Sequence, residues 1–500
     1  MNINLSDVPN KERWISIATQ VANNPDDFKL WEELIQITEF LPSLNLKTKY
    51  KINSQSTNIE KQLVLIVYEN LLIQFPLLEQ YWINYSNWFY KFNNLSKAID
   101  TFERALIILP NSLIIWNSYI DLQLKLNSDN DKMIINFERA REAIGYHYLA
   151  NSFFDKYLYF LKNINYIKHY HILLRKIIEI PQYDYLKYYK EFLKLIENAN
   201  FDTIKYLISL EDLKKDYNLN WDDLFKPEKW KLIKIELKKK FTDLFITTQY
   251  HSWKFYNFER KLKTFYYKPN IKLTRLELQT WKSYIEYIEI QNLKIATKEK
   301  EINLIKNNSL LIDTIYNRCL IVTASYPYFW IKLSNYYLNY NDLKTAKLIL
   351  IKGIYLNPIE NLKLRIRLID LFILSTEFDK AKSFLYESLK LLPNNIQLFC
   401  KLLEVEHFTQ SSNVSKLIIN KLTDILKLGN IELENQFDYL FIEMLNFSCI
   451  SLEKINQIFE KFNTKKSYYY LKAKKMFFEI YKNEKPIIKH IPSGWECEYF

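Results

Sequence analysis

Residues 81–119 read YWINYSNWFYKFNNLSKAIDTFERALIILPNSLIIWNSY and contain one complete helix pair followed by the start of the next. Trp82, Tyr85 and Phe89 recur at i, i+3 and i+7, which places them on one face of a helix. A second helical segment follows a short polar break and ends at Pro110, because proline cannot continue a helix. The aromatic pattern then restarts at Trp116. A helix pair that restarts after about 35 residues indicates a solenoid repeat.

The tetrapeptide FERA supports this repeat, since it stands at Phe102–Ala105 and returns 35 residues later at Phe137–Ala140. Looser copies recur along the chain when Arg104 is taken as an anchor position. The anchors are Asn70, Arg104, Arg139, Arg175, Arg318, Lys352 and Glu387. They are spaced by 34 to 36 residues, except for one gap of 143 residues after Arg175. That gap corresponds to about four periods.

Two further positions keep phase with the anchors. Six residues after an anchor, a helix-stop residue is usual, namely Pro76, Pro110, Gly145, Pro181, Pro358 or Pro393. Twelve residues after an anchor, the next helix presents Trp82, Trp116, Trp330, Leu364 or Phe399. The residue directly after an anchor is often small, which lets the two helices of a hairpin approach closely. We therefore expect a set of side chains to pack the repeats: Trp82, Tyr85, Phe102, Arg104, Trp116, Tyr119, Phe137, Arg139, Trp281, Tyr284, Arg318 and Trp330.

Length and composition agree with this architecture. Five hundred residues exceed one compact core, but a solenoid escapes that limit because each repeat contacts only its neighbours. Only 4 glycines are present, which disfavours a turn-rich sheet protein. The sequence predicts an all-α fold, an α-solenoid of helix-pair repeats in two arrays. We place a first array at residues 1–225, a long linking helix at 226–265, and a second array with terminal pairing helices at 266–500.

The net charge of +12 is uneven, because residues 1–250 carry 32 Lys/Arg and 31 Asp/Glu, whereas residues 251–500 carry 37 and 26. The basic second half could meet RNA or an acidic protein surface, and a solvated helix face explains it equally well. We expect no membrane partner, since the N-terminus lacks an apolar signal region and no apolar run approaches a membrane span. Four widely spaced cysteines indicate reduced thiols in the cytosol or nucleus.

Residue types needed for enzyme chemistry are not grouped in this sequence. The glycines are at least 65 residues apart, so no phosphate-binding loop can form. No cysteines are paired at zinc-ligand spacing, and the Glu-x-x-His pair of Glu404 and His407 lacks the second copy that a di-iron site requires. We predict no enzyme activity, catalytic residue, cofactor, metal or small-molecule substrate. The repeated Glu-Arg pairs at 103–104 and 138–139 are interpreted as ion pairs within and between repeats that hold the helices in register, rather than as ligand-binding groups.

The last predicted helix, residues 465–481, is both aromatic and basic. Tyr470, Phe477 and Tyr481 recur at spacings of 7 and 4, which indicates one strongly aromatic face. Such patches concentrate association energy. The candidate pairing surface comprises Tyr469, Tyr470, Phe477, Phe478 and Tyr481. The alternative is that this face packs onto the chain's own last repeat.

Several blocks resemble the half-a-tetratricopeptide (HAT) repeat of RNA-processing proteins, and in particular the pre-mRNA-processing factor 39 family. The blocks are FERALIILPNSLIIWNSYIDL (102–122), FERAREAIGYHYLANSFFDKYL (137–158), LLRKIIEIP (173–181), WKFYNFERKLKTFYYKPNIKLTRLELQTWKSYIEYIEI (253–290) and YNRCLIVTASYPYFWIKLSNYY (316–337). The resemblance covers about residues 14–425, and beyond residue 430 no clear motif continues it.

The resemblance implies a nuclear, non-enzymatic scaffold of the U1 small nuclear ribonucleoprotein that acts in 5′ splice-site recognition. It also implies pairing with a related or identical HAT-repeat chain through the C-terminal array, docking of other U1 proteins, and indirect or weak contact with U1 RNA or pre-mRNA. The alternative is a direct RNA-binding HAT protein of another RNA-processing complex, for example one of mRNA 3′-end processing.

Overall fold

The computed structural model describes residues 11–42, 49–126, 129–204, 206–208, 227–298, 302–409, 413–447, 450–463, 465 and 467–483. The chain forms two compact units, residues 1–323 and 324–500. Both are built from antiparallel helix pairs, so the predicted all-α solenoid is confirmed. The boundaries at 225 and 265 were drawn from repeat phase and stay a prediction.

The first unit contains fourteen helices in its described residues. Its helices are α1 (Lys11–Asn23), α2 (Phe28–Glu39), α3 (Asn58–Gln74), α4 (Glu79–Lys91), α5 (Leu95–Ile108), α6 (Leu113–Lys125), α7 (Asn130–Ile144), α8 (Asn151–Asn163), α9 (Ile167–Ile177), α10 (Tyr185–Asn198), α11 (Phe201–Ile204), α12 (Pro227–Glu259), α13 (Arg275–Lys298) and α14 (Ile302–Val322). One antiparallel strand pair, β1 (Phe40–Pro42) with β2 (Lys49–Lys51), lies in the loop between α2 and α3. The all-α prediction did not include this small hairpin.

The 33-residue helix α12 packs along α10. Tyr189 stacks on Phe245 with ring centroids 4.1 Å apart, and Phe192 meets Phe241 edge-on at 4.7 Å. Two hydroxyls on the same face bind backbone carbonyls of the preceding repeat, Thr248 to Ile178 at 3.3 Å and Ser252 to Gln182 at 2.8 Å. These contacts attach the helix to the preceding repeat.

The second unit continues the same helix-pair pattern. Its helices are α15 (Pro327–Asn339), α16 (Leu343–Leu356), α17 (Leu362–Leu374), α18 (Phe378–Leu391), α19 (Ile396–Phe408), α20 (Val414–Leu428), α21 (Ile431–Phe437), α22 (Leu440–Glu443), α23 (Leu452–Lys461) and α24 (Tyr468–Asn483), with a 3₁₀ turn at Met444–Asn446. Local chemistry sets many helix ends. The side chains of Asp342 and Asn395 cap the first turns of α16 and α19, and Gly429 ends α20 in the left-handed conformation.

A recurring turn joins the two helices of a pair. Asn93, Asn165 and Asn341 adopt φ values of 58°, 57° and 60° in these turns, and Thr376 adopts 59° in the fourth. Asparagine tolerates this left-handed conformation better than other residues with a side chain. The polar breaks in the sequence are therefore turns that need a residue able to take a positive φ.

Candidate protein-interaction site

The spacing of six residues between the helix-stop position and the tryptophan has a direct geometric cause. The indole N–H of Trp82 donates to the carbonyl of Pro76 at 2.8 Å, and that of Trp116 donates to Pro110 at 2.7 Å. Trp330 binds the Ala324 carbonyl in the same way at 2.8 Å. All three indoles are buried. Each tryptophan thus satisfies a backbone carbonyl in the turn that follows the preceding helix.

A glutamate at each of two successive repeat junctions binds two donors from the following repeat. Glu69 accepts from Arg104, with Nη1–Oε2 at 3.1 Å, and from the Tyr85 hydroxyl at 2.7 Å. One repeat later, Glu103 accepts from Arg139 at 3.0 and 2.9 Å and from Tyr119 at 2.7 Å. Three members of the repeated Glu-Arg pairs, Glu103, Arg104 and Arg139, therefore form ion pairs between neighbouring repeats. We call them the glutamate ladder.

The hydrogen bonds of the glutamate ladder shift the pKa values of the groups that form it. Hydrogen bonds from Arg104 hold the pKa of Glu69 below its ordinary value, although partial burial acts in the opposite direction. Arg139 lowers the pKa of Glu103 in the same way. Burial, together with the hydrogen bond to Glu103, raises the pKa of Tyr119 to about 12. The glutamates are therefore charged acceptors, and the tyrosine is a neutral donor.

The arginines of the ladder lie against the buried tryptophans. The guanidinium carbon of Arg104 is 5.6 Å from the ring centre of Trp82, and that of Arg139 is 5.6 Å from Trp116. The arrangement combines cation–π contact with the ion pair. Tyr85, Phe102, Tyr119 and Phe137 are buried in the same repeats, and the two arginines are about half exposed.

Glu259 accepts from an arginine and a tyrosine in the same way as Glu69 and Glu103, but it is buried. No residue spacing in the sequence predicted this contact. Arg318 binds it with Nη1–Oε1 at 2.7 Å and Nη2–Oε2 at 2.9 Å, while the hydroxyl of Tyr284 donates to it at 3.1 Å. Trp281 is buried beside them, with its ring centre 5.8 Å from the Arg318 guanidinium carbon. Burial opposes the charge of Arg318, but attraction to Glu259 outweighs it and raises the arginine's pKa. The tripeptide Phe-Glu-Arg at 258–260 matches the repeat motif and could have indicated this contact. Its arginine stands 58 residues before Arg318, which is longer than one repeat, so the spacing did not connect the two.

The ladder loses its ion pair after Arg139. Glu138 binds Arg141 of its own helix at 2.8 Å and retains the tyrosine contact, from Tyr157 at 2.9 Å. Arg175 instead pairs with Glu179 in the next turn of the chain and lies over the ring of Phe241. This departure coincides with a shift of the aromatic position, which stands twelve residues after Arg104 at Trp116 but fifteen residues after Arg139 at Phe154.

A second set of ion pairs links the first helices of neighbouring pairs. Asp121 binds Lys156 at 2.6 Å in the first unit, and Asp370 binds Lys401 at 3.0 Å in the second. Lys187 binds Asp155 at 2.7 Å between α8 and α10. No motif in the sequence marked these pairs, because single acidic and basic residues at a spacing near the repeat length are common in a charged chain.

Five of the anchors are followed by a small residue, and the structure shows where these residues lie. Ala105, Ala140, Cys319, Gly353 and Ser388 are all buried within helix pairs. A Cβ atom on Gly353 would lie 2.9 Å from Cγ of Trp330, which is closer than carbon atoms pack. The residue is therefore small because a tryptophan ring occupies the adjacent space.

The structure corrects the assignment of the aromatic face on α24. Tyr470 is 1% exposed and Phe477 is 3% exposed, because both pack into the chain's own terminal core. Tyr470 meets Phe441 at 5.1 Å and Phe459 at 5.6 Å, and its hydroxyl donates to the Phe459 carbonyl at 3.0 Å. The alternative of packing onto the last repeat thus holds for these two residues, which are not available to a partner. The side chain of Tyr481 lies outside the described residues.

The opposite face of α24 is exposed. Tyr468, Leu471 and Phe478 recur at i, i+3 and i+10, and Phe478 is 50% exposed. Tyr469 borders this face and contacts Tyr439 at 5.8 Å. Lys472 lies over the Tyr468 ring at 5.8 Å. We call Tyr468, Tyr469, Leu471 and Phe478 the outer face of α24.

In the part of the chain that the structure describes, no three His, Cys, Asp or Glu side chains are grouped so that they could hold a metal ion. Glu404 instead pairs with Lys401 at 2.9 Å. None of the described helices is long and apolar enough to span a membrane.

The repeating Trp–carbonyl contacts, left-handed turns and small inter-helix positions define an α-solenoid of helix-pair repeats. Two family descriptions match this chain, "PRP39 N-terminal HAT repeat" over residues 16–194 and "PRP39 C-terminal HAT repeat" over residues 253–407. Together they cover more than half of the chain, which therefore belongs to the PRP39 family of HAT-repeat proteins.

Individual relatives are similar at low identity. "U1 small nuclear ribonucleoprotein component PRP42" of Saccharomyces cerevisiae is 27% identical over 352 residues, which is 69% of this chain and 60% of the relative. "Pre-mRNA-processing factor 39" of Schizosaccharomyces pombe is 22% identical and matches 66% of this chain and 52% of its own length. The human protein of that name is 23% identical, with 64% and 47% covered. The chain thus spans about half the length of the curated relatives it matches.

Proposed function

We propose that this chain is a nuclear, non-enzymatic scaffold of the U1 small nuclear ribonucleoprotein that acts in 5′ splice-site recognition during pre-mRNA splicing. The observation that carries the proposal is membership of the PRP39 family across both repeat regions. The name of the similar yeast protein, a U1 component, points to the same particle. The regular junctions give each repeat a fixed position relative to its neighbours, which suits a protein that holds other proteins in place.

We propose further that the second array pairs with a related or identical chain, and that the first array docks other U1 proteins. The outer face of α24 supports the pairing, because aromatic and aliphatic side chains are exposed there while the opposite face is already covered. Exposed aromatic patches of this kind commonly supply the energetic centre of protein interfaces.

The particle is tested by affinity purification of the tagged full chain from its native cells, followed by quantification of co-purified RNAs. The proposal expects U1 RNA to be enriched far above the other spliceosomal RNAs. Enrichment of mRNA 3′-end-processing factors without U1 RNA would instead support the alternative complex. Repeating the washes at rising salt separates protein-mediated from phosphate-mediated retention, since the latter weakens steeply.

The pairing is tested with purified chain, alone and with its PRP39-family paralogue, by light scattering. Tyr468→Arg combined with Phe478→Arg should convert a two-chain mass to a one-chain mass while leaving the circular dichroism unchanged. The matched control is Tyr355→Arg combined with Tyr386→Arg, which places the same two charges on other exposed aromatics of the second unit. An unchanged mass of the double variant would rule out this face.

A further inference from the structure

One face of the long helix α12 carries exposed aromatic side chains along consecutive turns. Tyr250, Trp253 and Tyr256 lie on it, and Trp253 is 56% exposed. The inward face of the same helix is formed by Thr248, Ser252, Phe255 and Glu259, which are buried. We call Tyr250, Trp253 and Tyr256 the α12 stripe. Single exposed rings are normal on a protein surface, but three neighbouring exposed rings form a patch that suggests a binding role.

The segment that carries the α12 stripe is predominantly positive. Residues 244–276 contain seven Lys/Arg and a single acidic residue, Glu259. That glutamate is buried and bound to Arg318, so it offers nothing to the surface. The cations are Lys254, Arg260, Lys261, Lys263, Lys268, Lys272 and Arg275. Among the described residues, none of the seven forms an ion pair with a carboxylate. Asp243 and Glu277 flank this segment, so a clear excess of unpaired cations remains, and such a surface is complementary to a polyanion.

Cations and rings also alternate in contact with one another. The Lys254 ammonium lies 5.4 Å from the Tyr250 ring centre and 5.1 Å from that of Trp253. The Arg260 guanidinium carbon is 5.9 Å from Tyr256, and just beyond the helix Lys268 is 4.7 Å from Tyr266. Each ring thus has a positive group at its edge or face.

We propose that the α12 stripe, with Arg260, Lys261 and Lys263, binds single-stranded RNA. Bases stack on the exposed rings, and the neighbouring phosphates meet the unpaired cations. Proteins that bind single strands without sequence preference combine stacking rings with a basic track in this way. An acidic peptide would match the charge but has no flat groups for three exposed rings, so the rings favour a nucleic acid. The site lies within the first compact unit and is distinct from the outer face of α24.

The test measures fluorescence anisotropy of a labelled 15-nucleotide oligouridine with the purified full chain, over a range of salt concentrations. Trp253→Ala should weaken binding about 5- to 150-fold, the usual effect of removing one stacking ring. Tyr159→Ala removes an exposed ring from α8 and should leave binding unchanged. Equal affinity of the wild type and Trp253→Ala would overturn the proposal, as would no binding by the wild type at low salt.

The cations are tested by the slope of log affinity against log salt. Replacing Arg260, Lys261 and Lys263 with Gln should reduce that slope by about 2, since each single-strand phosphate contact contributes about 0.7. Replacing the exposed Lys352, Lys363 and Lys416 with Gln makes the same charge change elsewhere and should leave the slope unchanged. If both triple variants change the slope equally, binding is non-specific and the proposed site is wrong.

A labelled polyglutamate of equal charge gives the competing outcome. If it binds more tightly than the RNA and its binding depends on Trp253, the site takes an acidic protein segment and the RNA proposal fails. These measurements use the isolated chain, so they can fail independently of the proposed place in the U1 particle.

Discussion

Arg318 and Glu259 form a two-pronged ion pair whose side chains are only 7% and 6% exposed, whereas the equivalent Arg104 and Glu69 are 49% and 34% exposed. The contact is chemically the same in both places, but the cost of breaking it depends on burial. Water can replace a lost partner at the surface, and it cannot do so in the interior. His147 lies close to the buried pair, and burial together with the charge of Arg318 holds its pKa well below the ordinary value.

We expect Glu259→Gln to lower the free energy of unfolding by about 3–5 kcal/mol, because it leaves Arg318 charged without its counterion. Glu69→Gln should cost only about 0.2–1 kcal/mol, as for other exposed pairs. Urea denaturation of both variants measures the difference. Similar losses in the two variants would mean that burial does not distinguish the junctions.

Trp116 should be a major stabilising residue of the first unit, because it is buried and its indole N–H satisfies the Pro110 carbonyl. Trp116→Ala should cost about 3–5 kcal/mol, the usual range for large core truncations. Trp116→Phe keeps one ring but removes the indole N–H and part of the packing, so its cost should exceed the about 1 kcal/mol of a hydrogen bond and stay below that of Trp116→Ala. Shifts in the denaturant midpoint report both. A loss below about 1 kcal/mol for the alanine variant would contradict the packing assignment.

Thr376 should be a strained position, because it is β-branched and has a φ of 59° where the equivalent turns use asparagine. Thr376→Asn should raise the free energy of unfolding by about 1 kcal/mol, since the left-handed conformation penalises most side chains by about that amount. Asn341→Thr makes the reverse exchange in the preceding turn and should destabilise by a similar amount. Thermal unfolding of both variants checks the sign, and a destabilised Thr376→Asn would contradict the argument.

The glutamate ladder should contribute less to the free energy of unfolding in acid than at neutral pH. Arg139 lowers the pKa of Glu103 in the folded chain from the ordinary 4.5. A lowered folded pKa means that the pair stabilises the fold above the unfolded pKa and that this contribution disappears as the pH falls through the folded pKa. The deficit in unfolding free energy of Glu103→Gln against wild type should therefore shrink from pH 7 to pH 3. The control is Glu142→Gln, an exposed glutamate on α7. A deficit for Glu103→Gln that is independent of pH would show that the charge is not involved.

Trp116 and Glu259 show which features of the fold the sequence could predict and which it could not. The spacing of Pro110 and Trp116 predicted the repeat, because a hydrogen bond between fixed positions in one turn leaves a fixed interval. Glu259 was missed because a long turn and longer helices lie between it and Arg318, so the interval no longer equals the period.

Helix α24 shows a different limit of sequence reasoning. Its spacing identifies residues that share a face, but both of its faces are apolar. Nothing in the spacing indicates that Tyr470 rather than Phe478 turns inward. That choice depends on Phe441 and Phe459, which come from other helices and define the space to be filled.

The glutamate ladder gives the array a direction. In every such contact the acceptor belongs to the earlier repeat and the donors belong to the later one, as with Glu103 and the Tyr119–Arg139 pair. Two identical chains related by a two-fold axis meet through the same surface on each chain, so an end-to-end contact brings the same terminal repeat of both chains together and not an earlier repeat against a later one. A symmetric dimer therefore cannot extend the ladder from one molecule into the other. Growth by this contact would be head-to-tail and open-ended, so a closed pair has to use a surface that matches itself.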